Sequence, residues 1–149
     1  MSAEIREVSA AFSCVLAAIH AEAFAKPWPE ASLRRLLIQP SVLSLLASEG
    51  DVPCGFLLCQ AAAGEGEILT LAVSPAFRRR RIALSLIEAL KARARIWPAE
   101  RLLLEVAEDN AAALSLYNRC GFSILARRRG YYRRDDGSRA DAIVMSCDL

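Results

Sequence analysis

Val73-Ser-Pro-Ala-Phe-Arg-Arg-Arg-Arg-Ile-Ala-Leu-Ser-Leu-Ile-Glu-Ala-Leu90 joins the end of an apolar strand, a basic turn and a helix. Residues 67–73 before it form an apolar run that reads as a buried strand. After the arginines, Ile82, Leu86, Ala89, Leu90 and Arg93 recur at helical spacing, and Ile87 widens the apolar stripe. The spacing predicts a helix starting near Arg81. Arg78, Arg79, Arg80 and Arg81 therefore stand at or just before a helix N-terminus, where the backbone dipole is already positive. Four cations are poorly placed there for the helix itself, and their position makes sense when an anion sits among them. A strand, a tight basic turn and unpaired helix N–H groups make a phosphate site, and a pyrophosphate suits it. A solvated surface patch and a contact for nucleic acid are the other readings of such a run.

The 149 residues are expected to form one domain, 1–149, around a single core. Apolar residues are 54% and charged residues 24%, which fits a compact globular protein and argues against disorder. A net charge of +2 is too balanced for bulk attraction to nucleic acid, and the basic residues are local, at 78–81 and 127–134. The start, Met-Ser-Ala-Glu-Ile-Arg-Glu, lacks the pattern of a signal peptide, and no apolar run approaches membrane-span length. A soluble cytoplasmic protein is expected, monomeric or weakly dimeric, with no membrane partner. Five cysteines (Cys14, Cys54, Cys59, Cys120, Cys147) lack CxxC spacing and read as small core residues. The one histidine, His20, has no ligand partner near it in sequence, so no metal is expected.

In chain order, residues 4–8 alternate weakly as a first strand. Ser9 or Ser13 opens a helix to about Phe24, with Val15, Leu16, Ile19 and Phe24 inward. Lys26-Pro27-Trp28-Pro29 breaks it, and a short helix follows over 30–38. Strands at 42–47 and 55–61 flank the turn Glu49-Gly50-Asp51-Val52-Pro53. Gly64-Glu65-Gly66 turns into the 67–73 strand, and Trp97-Pro98 closes the helix that begins at the arginines. Residues 101–107 are a strand; Asp109 or Asn110 caps a helix to Cys120, with Gly121 as a left-handed stop. Strands at 122–126 and 142–146 enclose a polar, aromatic loop at 127–141. The order β-α-α-β-β-β-α-β-α-β-β gives a mixed α/β sheet with helices on its faces.

Two residues stand out chemically. Glu105 interrupts Leu-Leu-Leu-Glu-Val, where an unpartnered buried carboxylate is costly. Either it faces solvent from a splayed strand, or it is a buried acid poised to take a proton. Tyr117 follows Asn110 by two helical turns, so Asn110, Leu114 and Tyr117 share a face, and Ala111, Ala112 and Ala113 leave room at the helix start. Tyr117 is either a half-buried core aromatic or a phenol able to protonate a developing anion.

The segments Leu71-Ala-Val-Ser-Pro-x-x-Arg78-Arg-Arg-x-Ile-Ala83 and Leu104-Glu-Val-x-x-x-Asn110-x-x-Ala-x-x-Leu-Tyr117-x-x-Cys-Gly-Phe122 resemble the GNAT superfamily of acyl-CoA-dependent N-acyltransferases. The likeness covers essentially the whole chain. Phe24-x-x-Pro27-Trp28, and Tyr131-Tyr132 leading to Asp141-Ala-Ile-Val-Met145, resemble one branch. These are the bacterial RimI-type enzymes that acetylate the N-terminal alanine of a small-subunit ribosomal protein.

The resemblance implies an α/β (α+β) GNAT fold, with a mixed, mostly antiparallel central sheet splayed in the middle and helices on both faces. It implies acetyl-CoA as donor, CoA as product, and a ribosomal protein N-terminus as acceptor. Leu71, Ala72 and Val73 would meet the pantetheine arm, and Arg78, Arg79, Arg80, Arg81, Ile82 and Ala83 the pyrophosphate. Asn110 would also contact the cofactor, as would Tyr117. Glu105 would be the general base, through water, and Tyr117 would protonate the departing thiolate. A backbone N–H near Val73 would polarise the thioester carbonyl. Trp28, Tyr131 and Tyr132 would line the acceptor groove, and Glu67 is grouped with them as substrate-binding.

Arg81 stands where the family loop has its first glycine, a position of close phosphate approach and unusual dihedrals. The expectation is ordinary helical geometry at Arg81, its side chain turned outward or onto a phosphate, and weaker CoA binding. Rival expectations are a GNAT acting on a small amine or another protein, a non-catalytic CoA-binding relative, and a basic RNA- or ribosome-binding module.

Overall fold

The computed structural model describes residues 3–95, 97 and 99–149, so Pro98 of the expected helix stop lies outside the described residues. Its first strand, β1 (Glu4–Glu7), is followed by a 3-10 turn (Ala10–Phe12) and helix α1 (Ser13–Ala23). Both candidate openings are used. Ser9 Oγ accepts the Ala11 N–H at 3.3 Å to cap the turn, and Ser13 starts the helix proper. Ser13 Oγ also donates to Glu30 Oε1 at 2.6 Å, tying α1 to helix α2 (Glu30–Leu37). Phe24, expected inside, is 40% exposed, because the backbone has already turned extended there (φ −122°, ψ 139°).

Strands β2 (Val42–Glu49) and β3 (Val52–Ala62) run past the turn expected between them. Val52 pairs with Glu49, and Pro53 sits opposite Ser48 where the register shifts. A proline is tolerated at such an irregularity because no ladder N–H is needed. Ala63 and Gly64, both at positive φ, turn the chain into β4 (Glu65–Val73). After a second 3-10 turn (Pro75–Phe77) and the basic turn come α3 (Ile82–Ala94), β5 (Arg101–Ala107) and α4 (Ala111–Arg119). Gly121 ends α4 at φ +92°, as its position predicts.

The largest departure lies at the C-terminal end. Residues 127–141 are not a loop but most of a hairpin, β6 (Ser123–Arg133) and β7 (Arg139–Asp148). The seven strands among the described residues form one sheet, ordered β1-β2-β3-β4-β5-β7-β6, so β6 lies at an edge. Charged residues are at home on an exposed edge strand, which is why a run of arginines there does not signal a loop.

The sheet is buried on both faces by alternating side chains. Leu45, Leu57, Leu102 and Leu104 pack under Ile82, Leu86 and Leu90 of α3. Leu46, Phe56, Leu58 and Ala72 pack under Leu16, Ile19 and Leu33 of α1 and α2. Two helical layers therefore explain why β3 reads as an unbroken apolar run. Gly55 lets α3 approach, since a Cβ there would stand 3.0 Å from both Ala72 O and Ile82 Cγ2. Cys54, Cys59, Cys120 and Cys147 are buried free thiols, while Cys14 is exposed. Helix α4 has no fully buried residue and only half-buries Ala113, Leu114, Leu116 and Tyr117. It flanks a gap in the sheet.

Candidate active site

Strands β4 and β5 run parallel and pair only at Glu65–Arg101, Gly66–Leu102 and Glu67–Leu103. Beyond that point each keeps its outer neighbour: β4 stays on β3 as far as Val73, and β5 stays on β7 as far as Ala107. Their facing backbone edges are thus left without a strand between them, and a cleft of about 290 Å³ opens in the sheet. Leu71 lines it from β4, Glu105 from β5, and Asn110, Ala113 and Tyr117 from α4. Trp28 closes the far wall with His20, Phe24 and Lys26.

Glu105 lies between the two alternatives posed by its sequence context. It is half-buried on the cleft wall and paired: Arg128 of β6 reaches across β7 to donate from Nη1 to Glu105 Oε1 at 2.6 Å. The same guanidinium lies 4.4 Å over the Tyr131 ring, which meets Tyr132 edge-on at 5.2 Å. Arg128 is a partner the sequence reading missed. Its signal was present, since a carboxylate inside an apolar run needs a cation, and 127–134 holds the nearest basic cluster.

Tyr117 packs edge-on against Phe122 with centroids 5.7 Å apart. Burial pushes its phenol up to about 12, helped by nearby Cys120, so it holds its proton at any ordinary working pH. Asn110 Oδ1 accepts the Ala113 N–H at 3.2 Å, which caps α4 and fixes the start of the helix that carries Tyr117. Leu114, expected on the same face, half-buries against the α3-side core as Tyr117 does, but it is not among the residues that line the cleft.

His20 is the second residue that sequence reasoning passed over. It is 2% exposed, and its Nδ1 accepts the Trp28 N–H at 3.1 Å. That leaves the proton on Nε2, 3.4 Å from Thr70 Oγ1 of β4. Its ring stacks on Phe24 (centroids 4.3 Å) and Trp28 (5.1 Å). The available signal was the i, i+4 spacing of His20 and Phe24 beside a Pro-Trp-Pro run.

A second cleft, about 490 Å³, lies between the basic turn and α4. Val73, Arg78, Arg79, Arg81, Ile82 and Ala83 line one side, and Ala112, Leu116 and Arg119 the other. The first N–H groups of α3 have no side-chain cap, which leaves the helix start available to an anion. Arg80 does not join this cluster. Its Nη1 contacts both Glu49 carboxylate oxygens, at 3.3 and 3.2 Å, and its guanidinium sits 5.2 Å over Phe77. Ala72 is buried on the opposite face against α1 and α2. Glu67 is exposed at the last paired position of β4, while Tyr131 and Tyr132 stand on the hairpin that carries Arg128. Among the described residues no three His, Cys, Asp or Glu side chains converge on a common point.

Arg81 overturns the expectation of helical geometry. Its φ is +61° and ψ 22°, and Arg79 is also left-handed at φ +64°. The chain must reverse from β4 into α3 within a few residues, and that reversal demands positive φ whatever residue fills the site. An L-residue there costs about 1–2 kcal/mol. Against this, glycine costs about 0.5–1 kcal/mol in unfolded-state entropy. Arg81→Gly is therefore expected to leave stability unchanged or raise it by up to about 1.5 kcal/mol, a Tm gain of at most about 6 °C by calorimetry. Arg81→Ala keeps the strain and loses the charge. In acetyl-CoA titrations the alanine variant should bind more weakly than the parent, and the glycine variant at least as well as alanine. A fall in Tm for the glycine variant would count against strain at this turn.

Residues 15–122 match the acetyltransferase (GNAT) family. The [ribosomal protein bS18]-alanine N-acetyltransferase of Escherichia coli strain K12 is 33% identical over 135 residues, covering 89% of this chain and 90% of the relative. The N-alpha-acetyltransferase RimI of Mycobacterium tuberculosis is 36% identical over 126 residues, covering 82% of this chain and 76% of the relative. Among solved structures, the ribosomal-protein-S18-alanine N-acetyltransferase of E. coli superposes with a TM-score of 0.91 at 28% identity, over 99% of this chain and 94% of the other. Arabidopsis thaliana NAA60 in complex with acetyl-CoA superposes at 0.84 and 20% identity, over 99% of each chain.

Proposed function

The chain belongs to the GNAT acetyltransferase family and is an acetyltransferase, and from that premise we propose that it moves acetyl from acetyl-CoA to the N-terminal alanine of ribosomal protein bS18. The observation that carries the reading is the parting of β4 and β5 beyond Glu67–Leu103, between the basic turn at one end and Glu105 with Tyr117 at the other. An extended arm fits the unpaired β4 edge, and its phosphates fit the start of α3 beside Arg78, Arg79 and Arg81. The acceptor identity draws support from the curated relatives, several of which are named for bS18 alanine.

Acetyl-CoA supplies an activated acyl thioester. The chain's own residues then have three tasks. Glu105 takes a proton from the acceptor ammonium, through water, so that the amine carries a free lone pair. A β4 N–H near Val73 offers a fixed donor for the carbonyl oxygen. Tyr117, still protonated, gives its proton to the departing sulfur. The amine attacks directly, so none of the cysteines is needed as a nucleophile. Trp28 lines the cleft, and Tyr131 is tied to it through Arg128, which holds Glu105; these aromatics are the proposed walls for an acceptor peptide.

An RNA-binding module has less support. Arg80, Arg127, Arg128 and Arg134 each already hold a carboxylate, of Glu49, Glu108 with Asp141, Glu105 and Asp109. Among the described residues no helix is long and apolar enough to cross a membrane. Work on a ribosomal protein would place the enzyme in the cytoplasm. The test is mass spectrometry of purified bS18 after incubation with this protein and acetyl-CoA. The expected result is one added acetyl group on the terminal alanine; an unmodified terminus, or label on lysine side chains instead, would overturn the acceptor assignment.

A further inference from the structure

We infer that His20 is a positioning residue for the acceptor: it pins the connector at 24–29, and Trp28 with it, against β4. This rests on the proposed function, because it gives the connector wall of the cleft to the acceptor. The connector lies between α1 and α2 with neither helix nor strand geometry, so no regular ladder holds its backbone in place. Pro27 and Pro29 have no N–H to offer, and the Trp28 N–H between them is the donor that meets His20 Nδ1. The other ring nitrogen faces Thr70 Oγ1 on β4, so one imidazole spans from the core sheet to the connector. Phe24 and Trp28 stack on that ring, which orders both of these exposed aromatics at the cleft mouth.

The residue type is specific to this task. Phenylalanine would stack but could not accept, and asparagine could accept through Oδ1 but would stack poorly. The bond also needs a neutral ring, because a protonated Nδ1 becomes a donor. Burial lowers the His20 pKa below its ordinary 6.5, so the accepting form prevails above that value and is lost as pH falls through the lowered pKa. The titratable groups sharing the cleft are Lys26 from the connector, Glu105 from β5 and Tyr117 from α4, while Phe56 and Thr70 face the ring from β3 and β4. The connector lines none of the cleft at the basic turn, where the donor's phosphates are placed, so a shift of the connector should act on the acceptor more than on the donor.

The experiment measures KM for a bS18 N-terminal peptide and for acetyl-CoA in the parent, His20→Phe and His20→Asn proteins across pH. Amide exchange at Trp28 is followed by NMR in the same samples. His20→Phe should raise the peptide KM about tenfold, the scale of one ordered hydrogen bond, with the acetyl-CoA KM held. His20→Asn should recover most of that loss. The parent's peptide KM, divided by that of His20→Asn, should rise on acidification, a ratio that cancels the other titrating groups. Trp28 amide exchange should quicken in His20→Phe and not in His20→Asn. Parallel rises in both KM values, equal loss in the two variants, or unchanged Trp28 exchange in His20→Phe would each overturn the inference. A parent that acetylates no peptide defeats the proposed function instead, and Trp28 exchange then still decides the role of His20.

Discussion

Tyr117→Phe is expected to lower kcat by about 10²-fold or more, the loss typical of a positioned proton donor, while leaving acetyl-CoA affinity within about twofold. The substitution removes one oxygen from a ring whose packing against Phe122 survives, so the fold and the cap at Asn110 should hold. With the phenol pushed up to about 12, the parent should show no activity limb from Tyr117 between about pH 6 and 9, and the fold-loss should be constant across that range. Steady-state kinetics at several pH values, together with a calorimetric titration of acetyl-CoA, provide the check. Full turnover in the variant would remove Tyr117 from the chemistry. A rise in the acetyl-CoA dissociation constant that accounts for the whole loss would recast it as a binding residue.

Glu105→Gln should cost about 10²-fold in kcat/KM at low pH and progressively less as pH rises through about 8, where an α-amine loses its own proton. The sign follows from the task. A base matters only while the acceptor arrives as an ammonium, so the ratio of parent to variant must shrink on the alkaline side. Glutamine keeps an oxygen for Arg128 but removes the charge, which separates proton transfer from the hold on the hairpin. A pH-independent ratio would mean that Glu105 serves to place Arg128 and the β6–β7 hairpin rather than to accept a proton.

Much of the scaffold was legible because its local and long-range demands agree. The helix after the arginines, the apolar strand runs, the Asn110 cap and the left-handed stop at Gly121 all lie where spacing and turn chemistry put them. Glu105, Tyr117 and Asn110, picked from one-dimensional cues, and Leu71 and Trp28, implied by the family resemblance, do line one cleft. The failures share a cause. The arginine-rich stretch at 127–133 looks like a loop because its polarity suits solvent, and only its pairing with β7 makes it a strand. Arg80 looks like its three neighbours until Glu49 of the β2–β3 hairpin captures it.

By itself the sequence determined the order of elements and the buried run of β4, since these follow from periodicity, capping residues and turn chemistry within short windows, and its motifs carried the resemblance to the family. The tertiary structure alone decided where the splay implied by the resemblance begins, after three paired positions of β4 and β5, that Arg81 takes a left-handed turn, that Arg128 holds Glu105, and that His20 clasps Trp28. Each of these is a contact or a reversal set by how whole elements meet in space, and no local pattern of side chains encodes where a distant strand will stop or which cation will reach a given carboxylate.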